Sequence, residues 1–71
     1  MEKVRRFRVP KEEVWFVQSV LTECEGEAVV TLGRREGAAS IISVLFDSTA
    51  EAHVVRMFAY LESIGKMKSC S

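Results

Sequence analysis

The sequence predicts one small α+β domain with its elements in the order βαββαβ, and three observations carry that prediction. Apolar residues recur at three- and four-residue steps in two segments, 14–24 and 50–64, as on the buried stripe of a helix. Alternating or β-branched runs stand before and after each of these segments. The chain has 71 residues and contains no linker, repeat or low-complexity stretch, so residues 1–71 are expected to form a single domain.

The first strand is read at Val4–Val9, where Arg6 and Arg8 alternate with Phe7 and Val9. Pro10 ends the extended run and suits the first turn of a helix, and Glu12 and Glu13 suit the positive end of the helix dipole. In the first helix Val14, Val17, Leu21 and Cys24, with Val20 beside them, form the apolar stripe, and Gly26 is the expected terminator. Strand-like runs at Ala28–Leu32 and Ala39–Phe46 flank Gly33-Arg34-Arg35-Glu36-Gly37, which reads as a hairpin loop.

Ser48-Thr49-Ala50-Glu51 fits a capping box for the second helix, in which the serine accepts from the first turn and the glutamate reaches back. Its stripe is Ala50, Val54, Met57, Leu61 and Ile64, and Gly65 follows as terminator. Lys66–Ser71 leaves room for a short last strand with Met67 turned inward. Two right-handed crossovers around a hairpin put both helices on one face of an antiparallel sheet in the order 4-1-3-2. This is the ferredoxin-like plan, with strands one and three central and strands two and four at the edges.

A domain of this size buries only about 60% of the surface its unfolded chain exposes. Small scaffolds compensate with disulfides, a metal or a second subunit. Cys24 and Cys70 stand far apart without a CxxC or a Cys/His cluster, so no disulfide framework, metal site or other cofactor is expected. A homodimer is the remaining route. Ten basic and ten acidic residues cancel, so no global field draws the chain to nucleic acid or a membrane surface. The N-terminal residues lack the apolar core of a signal peptide, and no apolar run approaches the ~20 residues that span a bilayer, so a cytoplasmic location is expected.

The run Glu23-Cys24-Glu25-Gly26-Glu27-Ala28-Val29-Val30-Thr31 joins a helix to a strand through an acidic, glycine-containing junction. In this run and in its element order the chain resembles a family of small uncharacterised bacterial proteins, a domain of unknown function, and the resemblance implies a fold but no activity. Element order and size are also similar to those of the ACT domain. That resemblance implies a regulatory module that binds an effector such as an amino acid at a dimer interface. The chain departs from the ACT pattern between strand one and helix one, where Val9-Pro10-Lys11-Glu12 contains no glycine to receive a ligand.

Helices cover one side of the sheet, so the other side must be accounted for. Alternation along strand three assigns Ile41 and Leu45 to the helix side and Ile42, Val44 and Phe46 to the open side, where Val29 of strand two joins them. With Thr31 on the edge strand, an exposed interface of Val29, Thr31, Ile42, Val44 and Phe46 is expected. On the other half of the open side Arg6 and Arg8 are expected beside Lys66 and Lys68, four cations together. This motivates an alternative role in binding nucleic acid, above all RNA. An RNA-recognition motif needs aromatic side chains on its central strands, where Ile42 and Val44 stand instead.

No catalytic constellation is recognisable. His53 is the single histidine and has no second ligand or triad partner at a useful spacing. Cys24 falls on an apolar stripe and reads as a core residue, while nothing near Cys70 in sequence lowers its pKa. Trp15, Phe16, Phe58 and Tyr60 fall beside the main helical stripes, where they widen the core or line an interface. The expected function is a non-enzymatic, homodimeric, ACT-like regulatory or ligand-sensing module, with nucleic-acid binding as the alternative.

Overall fold

The computed structural model describes residues 2–24 and 28–70, and the backbone alone at Cys24. Glu2–Pro10 (β1) leads through a 3₁₀ turn at Lys11–Glu13 into Val14–Leu21 (α1), and a second 3₁₀ turn follows at Thr22–Cys24. Ala28–Glu36 (β2) and Ala39–Asp47 (β3) form a hairpin. A third 3₁₀ turn at Ser48–Ala50 opens Glu51–Ser63 (α2), and Lys68–Ser69 (β4) closes the chain. The strands pair antiparallel in one open sheet, β2-β3-β1-β4, so β1 and β3 are central and β2 and β4 are edges. These are the neighbours of the order 4-1-3-2 counted from the opposite edge, and the arrangement is consistent with the ferredoxin-like plan.

Register decides which residues face the helices. Phe7 pairs with Ile42, and Val30 pairs with Val44. Directly opposed residues share a face and side chains alternate along each strand. One face therefore carries Phe7, Val9, Ile42, Val44 and Phe46, all buried, and onto it dock Val17 and Leu21 of α1 and Val54, Phe58 and Leu61 of α2. Met67, just before β4, is buried in the same core. This corrects the expected assignment of β3: Ile42, Val44 and Phe46 lie under the helices, and Ile41 and Leu45 lie on the open side. The physical reason is polar parity. Ser43 shares its side of β3 with Ile41 and Leu45, whereas every residue on the other side from Ile42 to Phe46 is apolar.

Phe58 is the centre of the helix contact. Its ring centroid lies 4.6 Å from that of Phe7 and 5.7 Å from that of Phe46 in tilted and edge-on arrangements. Arg5 rides over both Phe7 and Phe58, 5.5 and 5.7 Å from the ring centroids, and covers that end of the core. The expected stripe of α2 holds at Ala50, Val54 and Leu61, with Met57 half-buried against the core; Phe58 joins it as a buried residue, and Ile64 is exposed.

The ends of the elements follow local chemistry. Gly65 has φ 74° after α2, and its N–H donates to Glu62 while the N–H of Lys66 donates to Leu61, at 3.1 and 3.0 Å. This double bond with a left-handed glycine is a Schellman motif, as the terminator glycine requires. Ahead of α2 the capping side chain is Asp47, not Ser48, and it caps the 3₁₀ turn: the Asp47 carboxylate accepts from the N–H of Thr49 at 3.2 Å, while α2 itself has no side-chain cap. Glu51 is drawn instead to Lys3, 2.9 Å away. The expected terminator Gly26 and its neighbours Glu25 and Glu27 lie outside the described residues, as does the side chain of Cys24.

The hairpin is tighter than expected. β2 continues to Glu36, and only Gly37-Ala38 turns the chain. Gly37 has φ 62° and Ala38 after it does not have positive φ, which is the pattern of a type II′ turn. The pairing shifts between Leu32 and Arg35, so the Gly33-Arg34 stretch read as loop is a bulge within β2. The N–H of Lys11 donates to the carbonyl of Ala38 at 2.9 Å and fastens the hairpin tip to the junction of β1 and α1.

Candidate functional site

The open sheet face and the cleft at its β4 end bring together the chemistry that the core does not use. The residues of this face form rows across the strands, set by the register. Glu2 and Asp47 pair at one end. Val4, Leu45 and Val29 form the next row, then Arg6, Ser43 and Thr31, then Lys68, Arg8 and Ile41. Val4 and Val29 are 46% and 63% exposed, so the apolar row is open to solvent.

Of the residues expected to form an interface, Val29 and Thr31 lie on this face. Ile42, Val44 and Phe46 are in the core, and their places on the open side are taken by Leu45, Ile41 and Val4. Within residues 41–46 the serine at position 43 is the polar residue, and it was the signal that distinguishes the two sides.

Of the four expected cations, three lie on the open face. Arg8 and Lys68 are directly paired on β1 and β4, and Arg6 is one row away. Lys66 is elsewhere: its ammonium lies 3.1 Å from Glu13 and 5.8 Å from the Phe16 ring centroid, on the helix side. Arg8 is held by Glu36 of the hairpin, which also pairs with Arg34 at 3.1 Å. The N–H of Cys70 donates to the Arg6 carbonyl at 3.1 Å, which extends the β1 and β4 pairing by one residue, and the Cys70 thiol is free and half-exposed.

Beside these cations, Arg8, Pro10, Ala39, Gly65, Met67 and Lys68 line a cleft of about 220 Å³. Two cations stand over an apolar floor, an arrangement that suits a small anion with an apolar body. Arg8 and Lys68 are like-charged neighbours across the strands, and the Glu36 carboxylate on Arg8 offsets their repulsion. A second cleft of about 280 Å³ between α1 and β2 is lined, among the described residues, by Gln18, Leu21, Thr22, Ala28 and Val30. Among the described residues there is no group of three or more His, Cys, Asp or Glu side chains able to hold a metal ion. His53 is exposed on α2. Trp15 is 77% exposed and Tyr60 49% exposed on the helices, away from the sheet's open side. No helix among the described residues is long and apolar enough to cross a membrane.

No protein-family model matches the chain, and no curated protein matches it. In structure it is similar to the cytoplasmic N-terminal domain of subunit I, a homolog of subunit a, of V-ATPase, with a TM-score of 0.70 and 20% sequence identity. The match covers 97% of this chain and 22% of that one, so this chain spans about a fifth of the length of the protein it resembles. At that identity the likeness concerns the fold alone.

Proposed function

We propose that the chain is a non-enzymatic regulatory module of ferredoxin-like, ACT-like plan that works as a homodimer and senses a small carboxylate effector such as an amino acid. The observation that carries this reading is the cleft lined by Arg8, Lys68, Pro10 and Met67. It adjoins the junction of β1 and α1, the region that receives the ligand in the ACT domains this chain resembles, although the receiving glycine is absent here. Its size suits a small solute, since pockets for drug-sized ligands run about 300–1,000 Å³. Arg8 supplies a planar fork for a carboxylate and Lys68 a second charge. Because Arg8 already holds Glu36, an effector carboxylate competes with the hairpin, and binding is thereby coupled to the hairpin tip. The resemblance to a family of small bacterial proteins is compatible with this role and adds no activity to it. The rival reading, nucleic-acid binding by a basic sheet face, is supported by fewer cations than expected, because Lys66 is turned to Glu13.

A thermal-shift panel of amino acids and other small carboxylates tests the proposal. A member of the panel should raise the Tm, and Arg8→Gln and Lys68→Gln should each remove that rise while leaving the ligand-free Tm close to wild type. Retention on heparin that falls steeply with salt, together with a flat panel, would instead support nucleic-acid binding.

A further inference from the structure

We infer that the homodimer forms by stacking the open sheet faces about a two-fold axis that runs across the strands, over the row of Val4, Leu45 and Val29. This inference rests on the homodimeric reading above and specifies its geometry and its occupant, a second copy of this chain.

Edge pairing is the competing geometry, and the edges are poorly suited to it. β4 has two residues. In β2 the bulge between Leu32 and Arg35 interrupts the ladder, and the exposed Arg34 and Arg35 follow directly. Bulges and charges on an edge strand are devices that block pairing with another sheet. The open face has no such protection over Val4, Leu45, Val29 and Ile41.

The order of charge along the strands selects the axis. Along β1 the open face reads Glu2, Val4, Arg6, Arg8, with successive rows about 7 Å apart. An axis parallel to the strands would set each row against its own copy: over β1 it puts Arg6 on Arg6 and Glu2 on Glu2, and between β1 and β3 it puts Glu2 on Asp47 and leaves Arg6 on Ser43 without a carboxylate. An axis across the strands reverses one sheet: the apolar row meets itself, and the row of Glu2 meets the row of the partner's Arg6. Each protomer then contributes one carboxylate and one guanidinium to two symmetric pairs. Stacked sheets lie about 10 Å apart, a gap that a glutamate and an arginine can bridge from opposite sides. The cleft of Arg8 and Lys68 falls at the rim of this contact and stays open to solvent.

The face is modest in area. The rows of Glu2, Val4 and Arg6 that overlap about this axis, five residues along each of three strands, present roughly 240 Å² of projected sheet, from about 3.3 Å per residue and about 4.8 Å between strands. A standard interface buries about 800 Å² per partner, so a reversible dimer is expected rather than an obligate one.

Sedimentation analysis of the full chain tests this geometry. The wild type should populate a dimer at about 100 μM, as a reversible interface with a Kd at or below that concentration requires. Leu45→Lys should raise the dimer Kd tenfold or more with an unchanged circular dichroism spectrum. Glu2→Arg and Arg6→Glu should each weaken the dimer, and the double exchange should restore it. If Leu45→Lys dissociates the dimer but the double exchange does not restore the single losses, the axis proposed here is wrong. If the wild type is dimeric and Leu45→Lys stays dimeric, the face is wrong and the homodimeric reading stands. If the wild type is monomeric at that concentration, both are overturned.

Discussion

Gly33 has no room for a side chain. A Cβ placed on it would lie 2.7 Å from the carbonyl oxygen of Ile41, and the obstacle is backbone in a central strand that cannot swing aside. Glycine is therefore what lets β2 bulge against β3 while staying in the sheet. Gly33→Ala is expected to destabilise the fold by about 1–3 kcal/mol, the usual range for overpacking, read from the midpoint of urea unfolding. Gly37 offers a control for glycine entropy, since its methyl group would meet no neighbour and only the positive φ would be strained. Asp47 gives a second residue-level expectation. The N–H of Thr49 holds its carboxyl below the ordinary 3.8. A carboxylate with a depressed folded pKa contributes stability above its unfolded pKa and loses it as pH falls through the folded value. Asp47→Asn keeps an acceptor for Thr49 but removes the titration, so the acid limb of the Tm against pH curve should be shallower in the variant below about pH 4.

At the scale of elements, β3 shows how a strand can be recognised and its phase missed. Ala39–Asp47 is apolar enough on both sides that alternation alone gives two assignments, and a shift of one residue exchanges the faces. The choice lies in Ser43, whose hydroxyl is disfavoured under the helices, and in Phe46, whose ring completes the contact with Phe58. In α2 the phase was right through Val54 and Leu61, but the stripe was read too narrow, with Met57 in it and Phe58 beside it. The aromatic partner of Phe58 on β1, Phe7, is forty or more residues away in sequence. The C-terminal end of α2, by contrast, was legible in its glycine, Gly65. Adjacent substitutions test the phase of β3. Val44→Lys should prevent folding, because an unpaired buried ammonium costs several kcal/mol against a total stability of about 5–15. Leu45→Lys should fold, because its side chain leads out of the open face. Near-native circular dichroism for both variants, or for Val44→Lys alone, would contradict the register.

At the scale of the whole molecule, the order of elements and the pairing of strands were legible because each is dictated by local patterns and by short, right-handed connections. The cleft was not, because its lining comes from β1, β3, β4 and the end of α2, and only the folded chain brings Pro10 and Gly65 together. Nor was the pairing of Lys66 with Glu13, since it depends on β4 starting at Lys68 and leaving Lys66 in the connection. Size sets the last expectation. The core is a single cluster with α1 contributing two fully buried side chains, Val17 and Leu21, among the described residues. So small a core leaves little margin, and a second copy on the open face stabilises the folded state by mass action. For a dimer that unfolds to two chains, a tenfold rise in concentration adds about 1.4 kcal/mol per dimer, or about 0.7 per chain. In a domain of this length that corresponds to a rise in Tm of roughly 3–5 °C. Scanning calorimetry of the wild type across two decades of concentration should show this slope, and Leu45→Lys should show a flat one. A flat wild-type slope would mean that the monomer is stable by itself and that the exposed row of Val4, Leu45 and Val29 makes no contribution to folding.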